Sequence, residues 1–111
     1  MDIDLSVNIA GVTFRNPIIV AASPATLSSS RIIECVRAGA AGAVTKTITY
    51  DVSQQIQPKP RMYVVNPEDA LKGRFYSFYS IDLMSEYEPE RWVGEIKKVK
   101  RAIGKREGMP I

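Results

Sequence analysis

Histidine is absent from this 111-residue sequence, and cysteine occurs once, at Cys35. Zinc sites and histidine-dependent catalytic triads are therefore excluded within the chain. A single cysteine cannot form an intramolecular disulfide, which points to a reducing, cytoplasmic compartment. No run approaches the roughly 20 apolar residues of a membrane span. The first residues, Met1-Asp2-Ile3-Asp4, lack the basic start and apolar block of a secretory signal. The composition that remains is that of an ordinary soluble domain, with 45% hydrophobic residues, 24% charged residues and a net charge of +3. The length suits one small domain with a real core. It falls short of the roughly 250 residues of a complete eight-fold barrel.

The stretch around which the rest is arranged is Ala41 to Tyr50, Ala-Gly-Ala-Val-Thr-Lys-Thr-Ile-Thr-Tyr. It begins small, apolar and β-branched after a helix ending at Gly39, and reads as a buried parallel strand. Lys46 arrives near its end. A lysine in such a strand has lost most of its water, which is costly unless an anion or an acceptor-rich partner compensates. Ligands of α/β folds bind at the C-terminal ends of parallel strands, which makes Lys46 the leading site residue. The other placement open to it is just past the strand, with the ammonium snorkelling to solvent.

Before this strand, Leu5, Val7 and Ile9 alternate with polar residues, and Val12 and Phe14 follow Ala10-Gly11, a hairpin pattern. Asn16-Pro17 punctuates the chain, and Ile18 to Ala22 is a continuous apolar run suited to a strand covered on both faces. The small residues at its end let another molecule approach the backbone, although Ala22-Ser23-Pro24 also has the chemistry of a simple turn. Thr26 to Ser30 supplies candidate helix N-caps. The helix that follows carries Ile32, Ile33 and Val36 on one face, with Arg31, Glu34 and Arg37 largely opposite. Cys35 lies on or beside the apolar face, without a basic neighbour to activate it, and reads as inert packing.

After Lys46 the chain makes a long excursion. Asp51 to Arg61 is polar with Pro58 and Pro60, Met62 to Val65 suits a minor strand, and Asn66 to Asp69 a turn or short helical start. The aromatic-rich stretch from Arg74 to Leu83 either stacks on a planar ligand or covers the mouth of a barrel. Long excursions from strand ends tend to be functional. Glu88-Pro89-Glu90 then opens a second clear helix, with Trp92, Ile96, Val99 and Ile103 at helical spacing and Gly104 at its end. Its other side holds Lys97, Lys98, Lys100 and Arg101. That cluster is either a solvated face complementing the helix dipole or a surface for phosphates and nucleic acid, and no nucleic-acid motif accompanies it. Met109-Pro110-Ile111 resembles the start of another strand.

Hairpin, strand, helix, strand, long loop, helix and a strand's beginning predict parallel βαβ units. Such a sheet has exposed edges and an uncovered face, so the expectation is a portion of a larger barrel, or a chain covered by other copies of itself.

Two motifs at this separation carry a resemblance. Asn16-Pro17-Ile18-Ile19-Val20-Ala21-Ala22-Ser23, then a helix, then Gly42-Ala43-Val44-Thr45-Lys46-Thr47, resembles the N-terminal portion of the dihydroorotate dehydrogenase family. It is equally similar to the related flavin domain of dihydropyrimidine dehydrogenase. The resemblance spans essentially the whole chain. It implies α/β architecture: residues 1–111 as the N-terminal part of one FMN-binding (β/α)8 TIM barrel, with an opening β-hairpin, two βα units and the start of a third strand. It also implies a cytoplasmic flavoprotein of pyrimidine metabolism that moves hydride between FMN and a C=C or CH–CH bond of a small cyclic substrate.

On the same resemblance, Ala21, Ala22, Ser23, Lys46 and Thr47 lie along the flavin, and Lys46, Ser80 and Asp82 reach the substrate. A fixed cation at Lys46 suits negative charge developing on the reduced ring. Two departures follow. The family's substrate-holding asparagine is absent, with Tyr79-Ser80-Ile81-Asp82-Leu83 in its place, which changes the hydrogen bonds the pocket can satisfy. Asp82 is then either a polar substrate contact or a loop acid facing solvent. The family's catalytic base and its phosphate-binding loops have no counterpart, so no catalytic residue is assigned within this chain. The 111 residues alone are expected neither to hold FMN tightly nor to catalyse. The other function class open to the chain is a non-catalytic barrel-fragment scaffold, or a binding module using the basic helix.

Overall fold

A computed structural model describes residues 3–104. The amino-terminal hairpin forms as expected, with β1 (Val7–Ile9) antiparallel to β2 (Val12–Phe14). Its two-residue turn needs positive φ at both positions. Ala10 adopts 50° and Gly11 82°, the signature of a primed turn matched to strand twist. The apolar run from Ile18 yields only a short strand, β3 (Ile19–Val20).

The helix α1 (Ser29–Arg37) then leads into β4 (Gly42–Ala43), which pairs parallel with β3 through Ile19–Gly42 and Val20–Ala43. This β3–α1–β4 passage is the parallel βαβ unit that the alternation predicts. Gly42 is required there by close approach: a Cβ would sit 3.0 Å from Cε1 of the Phe14 ring. Two further strands, β5 (Met62–Val64) and β6 (Phe78–Ser80), make an antiparallel hairpin interrupted by the short helix α2 (Pro67–Leu71). The chain closes on α3 (Pro89–Ile103), with Pro89 at the first helical position and Gly104 at its end.

The barrel expectation is corrected in its extent. The described residues are a mixed α/β arrangement of three two-stranded sheets, and no closed barrel forms among them. The strand expected over Ala41–Tyr50 is only Gly42–Ala43, because backbone pairing with β3 stops where β3 does. Within the long excursion, the minor strand expected over Met62–Val65 forms as β5, and the short helical start expected over Asn66–Asp69 forms as α2. Only the pairing of β5 with β6 goes beyond the sequence pattern. Tyr63 and Tyr79 face each other across β5 and β6 with ring centroids 4.7 Å apart, a cross-strand aromatic pair that stabilises a hairpin. The expected third strand at Met109–Ile111 lies outside the described residues.

The core sits between α1, α3 and β4. Ile32, Val36, Ala43, Trp92 and Val99 are buried together, with Ile33, Tyr87, Ile96 and Ile103 packed against them. The apolar stripes expected of both helices face each other here. The C-terminus of α1 closes on its own backbone, with Gly39 at a positive φ of 113°. The Gly39 N–H donates to the Val36 carbonyl at 2.9 Å and the Ala40 N–H to that of Cys35 at 3.1 Å. Tertiary partners add to this at both ends. Arg15 donates through Nη2 to the carbonyls of Val36 (3.0 Å) and Ala40 (2.8 Å), and Asn16 Nδ2 donates to that of Gly39 at 3.0 Å. Cationic donors at a helix C-terminus satisfy its free carbonyls and oppose its dipole.

At the other end the Ser28 side chain makes no capping bond. The carboxylate of Glu95, reaching across from α3 and only 5% exposed, accepts the Ser29 N–H at 2.9 Å. Hydrogen bonds from Lys98 first and Ser29 second pull the Glu95 carboxyl down from 4.5 to about 2. Because the folded value is depressed, this carboxylate stabilises the fold above the ordinary glutamate range. The contribution is lost as pH falls from about 5 toward about 2. Lys98 stands largely in water, so screening trims the effect. Glu95→Gln is expected to remove on the order of 1–2 kcal/mol at pH 7 and to flatten the acid limb of a stability–pH profile. An unchanged acid limb in urea titrations at pH 3 to 7 contradicts this role.

The molecule is extended. Its radius of gyration is 18.3 Å, with principal extents of 53 × 41 × 24 Å, against about 13 Å for a compact domain of this length. Apolar side chains stand in water along β3–β4 (Ile18, Ile19, Val44, Ile48) and out along the β5–β6 arm, where Leu71 is 89% and Phe75 95% exposed. Parallel sheets are ordinarily covered on both faces, and exposure on this scale marks surfaces that associate. Among the described residues, no helix is long and apolar enough to cross a membrane.

Candidate functional site

The C-terminal ends of β3 and β4 lie side by side, joined by the Val44 N–H donating to the Val20 carbonyl at 2.8 Å. Ala21 and Ala22 continue from β3 as an exposed shelf of small side chains. Ser23 is engaged locally. Its Oγ accepts the Ala25 N–H at 3.2 Å, and its N–H donates to Thr26 Oγ1 at 3.2 Å, capping a single 3-10 turn over Pro24–Thr26. The turn open to Ala22-Ser23-Pro24 in the sequence is therefore formed, and it has a use: the carbonyl of the buried Thr26 accepts the Lys46 N–H at 3.2 Å.

Lys46 lies past the end of β4, as the snorkelling alternative has it, but its side chain does not reach open solvent. The residue is 7% exposed, and its ammonium contacts the Asp82 carboxylate, 36 positions along the chain. Burial of a cation demands such a partner. Asp82 remains open to water on one side. Thr47 is exposed, and its carbonyl accepts the Ser85 N–H at 2.8 Å, tying the end of the β4 segment to the loop that carries Asp82. Ser80 is the last residue of β6, opposite Met62, and is exposed.

Pro24, Arg61, Met62, Ser80, Ile81 and Asp82 line a cleft of about 160 Å³. That is smaller than the roughly 300 Å³ at which small-molecule sites usually begin. One wall is apolar, from Pro24, Met62 and Ile81, while Ser80 offers a hydroxyl, Asp82 a carboxylate and Arg61 a cation. Arg61 is itself held by Glu86 at 3.2 Å.

Five of the residues singled out in the sequence thus gather at two neighbouring places. Ala21, Ala22 and Lys46 flank the ends of β3 and β4, and Ser80 and Asp82 border the cleft beside them. Ser23 and Thr47 contribute through the turn and the backbone. The pairing of Lys46 with Asp82 was not legible in advance, although the need of a buried lysine for an anion was. Gln57 and Arg61, which hold the Asp82 loop, carried no pattern that marks them. Cys35 does not line the cleft, and its thiol lies 3.7 Å from the Ala25 carbonyl, on the back of the turn that carries Pro24 and Thr26. Compared with the models of known protein families, the sequence matches none.

Proposed function

We propose that this chain is the N-terminal portion of an FMN-dependent oxidoreductase of the dihydroorotate dehydrogenase type, completed by further barrel polypeptide or by other copies. The observation that carries the reading is a buried lysine three residues past the end of a parallel strand, with a shelf of alanines following the end of the neighbouring strand. The residues fit one edge of a flavin. Ala21 and Ala22 leave the backbone approachable by a flat ring. Lys46 supplies a buried ammonium, and negative charge developing on the ring would draw on it as Asp82 turns to the water it already faces.

FMN, when bound, accepts or donates hydride in exchange with a C=C or CH–CH bond of a small cyclic substrate. The work of this chain is to bind and to orient. Lys46 is held in place by Asp82, Thr47 stands beside it, and Ser80 and Asp82 border the cleft where substrate polar groups would be read. No residue here is assigned as the catalytic base. The exposed apolar rows along β3–β4 and the sub-sized cleft support incompleteness: the 111 residues alone hold FMN weakly and are inactive. The membrane has no part in this reading, and the basic side of α3 is a solvated face, with Lys98 engaged by Glu95 at 2.7 Å.

In the complete protein, Lys46→Met is expected to lower bound flavin or the rate of flavin reduction at least about tenfold, the scale of one lost charge-assisted contact. Flavin absorbance at 450 nm and stopped-flow reduction read both. Wild-type flavin content together with a wild-type reduction rate removes Lys46 from the site. Salt-sensitive nucleic-acid binding that disappears when Lys97, Lys98, Lys100 and Arg101 are neutralised favours the binding-module alternative instead.

A further inference from the structure

Asp82 lies in a stretch with no regular secondary structure, yet the backbone on both sides of it is fastened. The Ile81 N–H donates to the Arg61 carbonyl at 2.8 Å, and the Ser85 N–H to the Thr47 carbonyl at 2.8 Å. Between these anchors, among the described residues, the side chain that grips the loop backbone is the carboxamide of Gln57. Its Oε1 accepts the Leu83 N–H at 3.1 Å, and its Nε2 donates to the Met84 carbonyl at 2.8 Å. Both ends of the amide are therefore matched to complementary groups on the two residues that follow Asp82, which fixes the orientation of the carboxamide.

We infer that Gln57 is a positioning residue for the Lys46–Asp82 pair; its functional weight rests on the reading of that pair as the charged centre of a flavin site. The two partners differ in freedom. Lys46 is buried and cannot follow Asp82, whereas Asp82 has water on one side and can swing into it. Whether the ammonium keeps its counter-ion thus depends on the loop, and Gln57 supplies the loop's fastening immediately beyond Asp82. Gln55, from the same polar segment, donates instead to the Thr49 carbonyl at 2.9 Å and does not touch the Asp82 loop, which makes it the natural control.

The test uses the full chain and three variants. Gln57→Met keeps the length of the side chain and loses the amide. Gln57→Glu keeps an acceptor for Leu83 but, while ionised, has no donor for Met84. Gln55→Met perturbs the same segment elsewhere. Site-resolved acylation by acetic anhydride, read by mass spectrometry, reports access to Lys46, and hydrogen exchange reports the Leu83 amide. Gln57→Met is expected to accelerate both by about tenfold, the factor represented by one net hydrogen bond.

Gln57→Glu is expected to give intermediate rates at pH 7. Corrected for intrinsic rates, its Leu83 protection recovers as pH is lowered toward 4 and the new carboxyl regains a proton to donate, a recovery that general loosening does not produce. Gln55→Met is expected to match the wild type. The inference is overturned if Lys46 acylation in Gln57→Met rises no more than that of exposed Lys97, or stays at the wild-type rate while Leu83 exchange accelerates. No flavin enters this experiment, so its failure is separate from that of the flavin reading, which Lys46→Met tests in the complete protein.

Discussion

Trp92→Ala is expected to leave the chain largely unfolded at 25 °C. Trp92 is 1% exposed and is the largest side chain in a core of five buried residues between the two long helices and β4. Truncating a buried tryptophan to alanine costs about 3–5 kcal/mol in lost transfer and cavity terms. A small domain has a total stability of only about 5–15 kcal/mol, and an extended one sits at the lower end of that range. The substitution also removes a polar contact. Ser85 Oγ, fully buried, accepts both the Trp92 Nε1–H at 2.7 Å and the Tyr87 N–H at 3.0 Å, so one acceptor site is left to a dry cavity. Trp92→Phe restores most of the buried area but not the donor, and is expected to cost about 1–2 kcal/mol. Because Trp92 is the only tryptophan, far-UV circular dichroism in urea is the appropriate probe. A midpoint for Trp92→Ala close to that of the wild type contradicts this placement of the core.

The second large effect is an asymmetry within the Lys46–Asp82 pair. Asp82→Ala strands a buried ammonium, and removing one partner of a buried pair typically costs about 3–5 kcal/mol. The open side of Asp82 admits water to the vacated position, which reduces the expected loss to about 2–3 kcal/mol. Lys46→Met does the reverse. It fills the buried space with an apolar chain of similar length and leaves a carboxylate that water already reaches, so its stability is expected within about 1 kcal/mol of the wild type. Urea unfolding of both variants in parallel checks the pair. Equal losses contradict the unequal burial from which the asymmetry follows. The result also matters for function, since a folded Lys46→Met makes any loss of flavin a property of the site and not of the fold.

What the sequence made legible follows from how far each signal reaches. The two long helices and their facing stripes were readable because a period of 3.6 residues is a local signal, and Pro89 and Gly104 marked the limits of α3 by their own backbone preferences. The amino-terminal hairpin was readable from its alternation and its Ala10-Gly11 turn. Strand extent was not. Ile18 to Ala22 and Ala41 to Tyr50 are apolar enough for long strands, but a strand lasts only as far as a partner backbone accompanies it, and here that is two residues on each side. The β5–β6 hairpin escaped notice because its strands are separated by an insertion containing α2, far longer than the turns that announce a hairpin.

At the site, Lys46 could be singled out because a lysine beside an apolar run is locally anomalous. Its partner could not be identified as such, since nothing periodic links positions 36 residues apart. Glu95 is the same case inside the core. It lies three residues after Trp92, at the edge of the apolar stripe of α3, and only the free N–H groups at the start of α1 explain it. Tertiary capping and tertiary ion pairing are absent from any window of sequence.

Native mass spectrometry of the protein purified without denaturation tests most directly whether these residues belong to a flavin-holding barrel. The predicted result is a species in which these residues occur together with further barrel polypeptide, in the same or another chain, and one FMN for each barrel. A flavin-free species in which further barrel polypeptide or other copies do complete these residues contradicts the proposed oxidoreductase. FMN held stoichiometrically by a single 111-residue chain contradicts the claim that its site is incomplete.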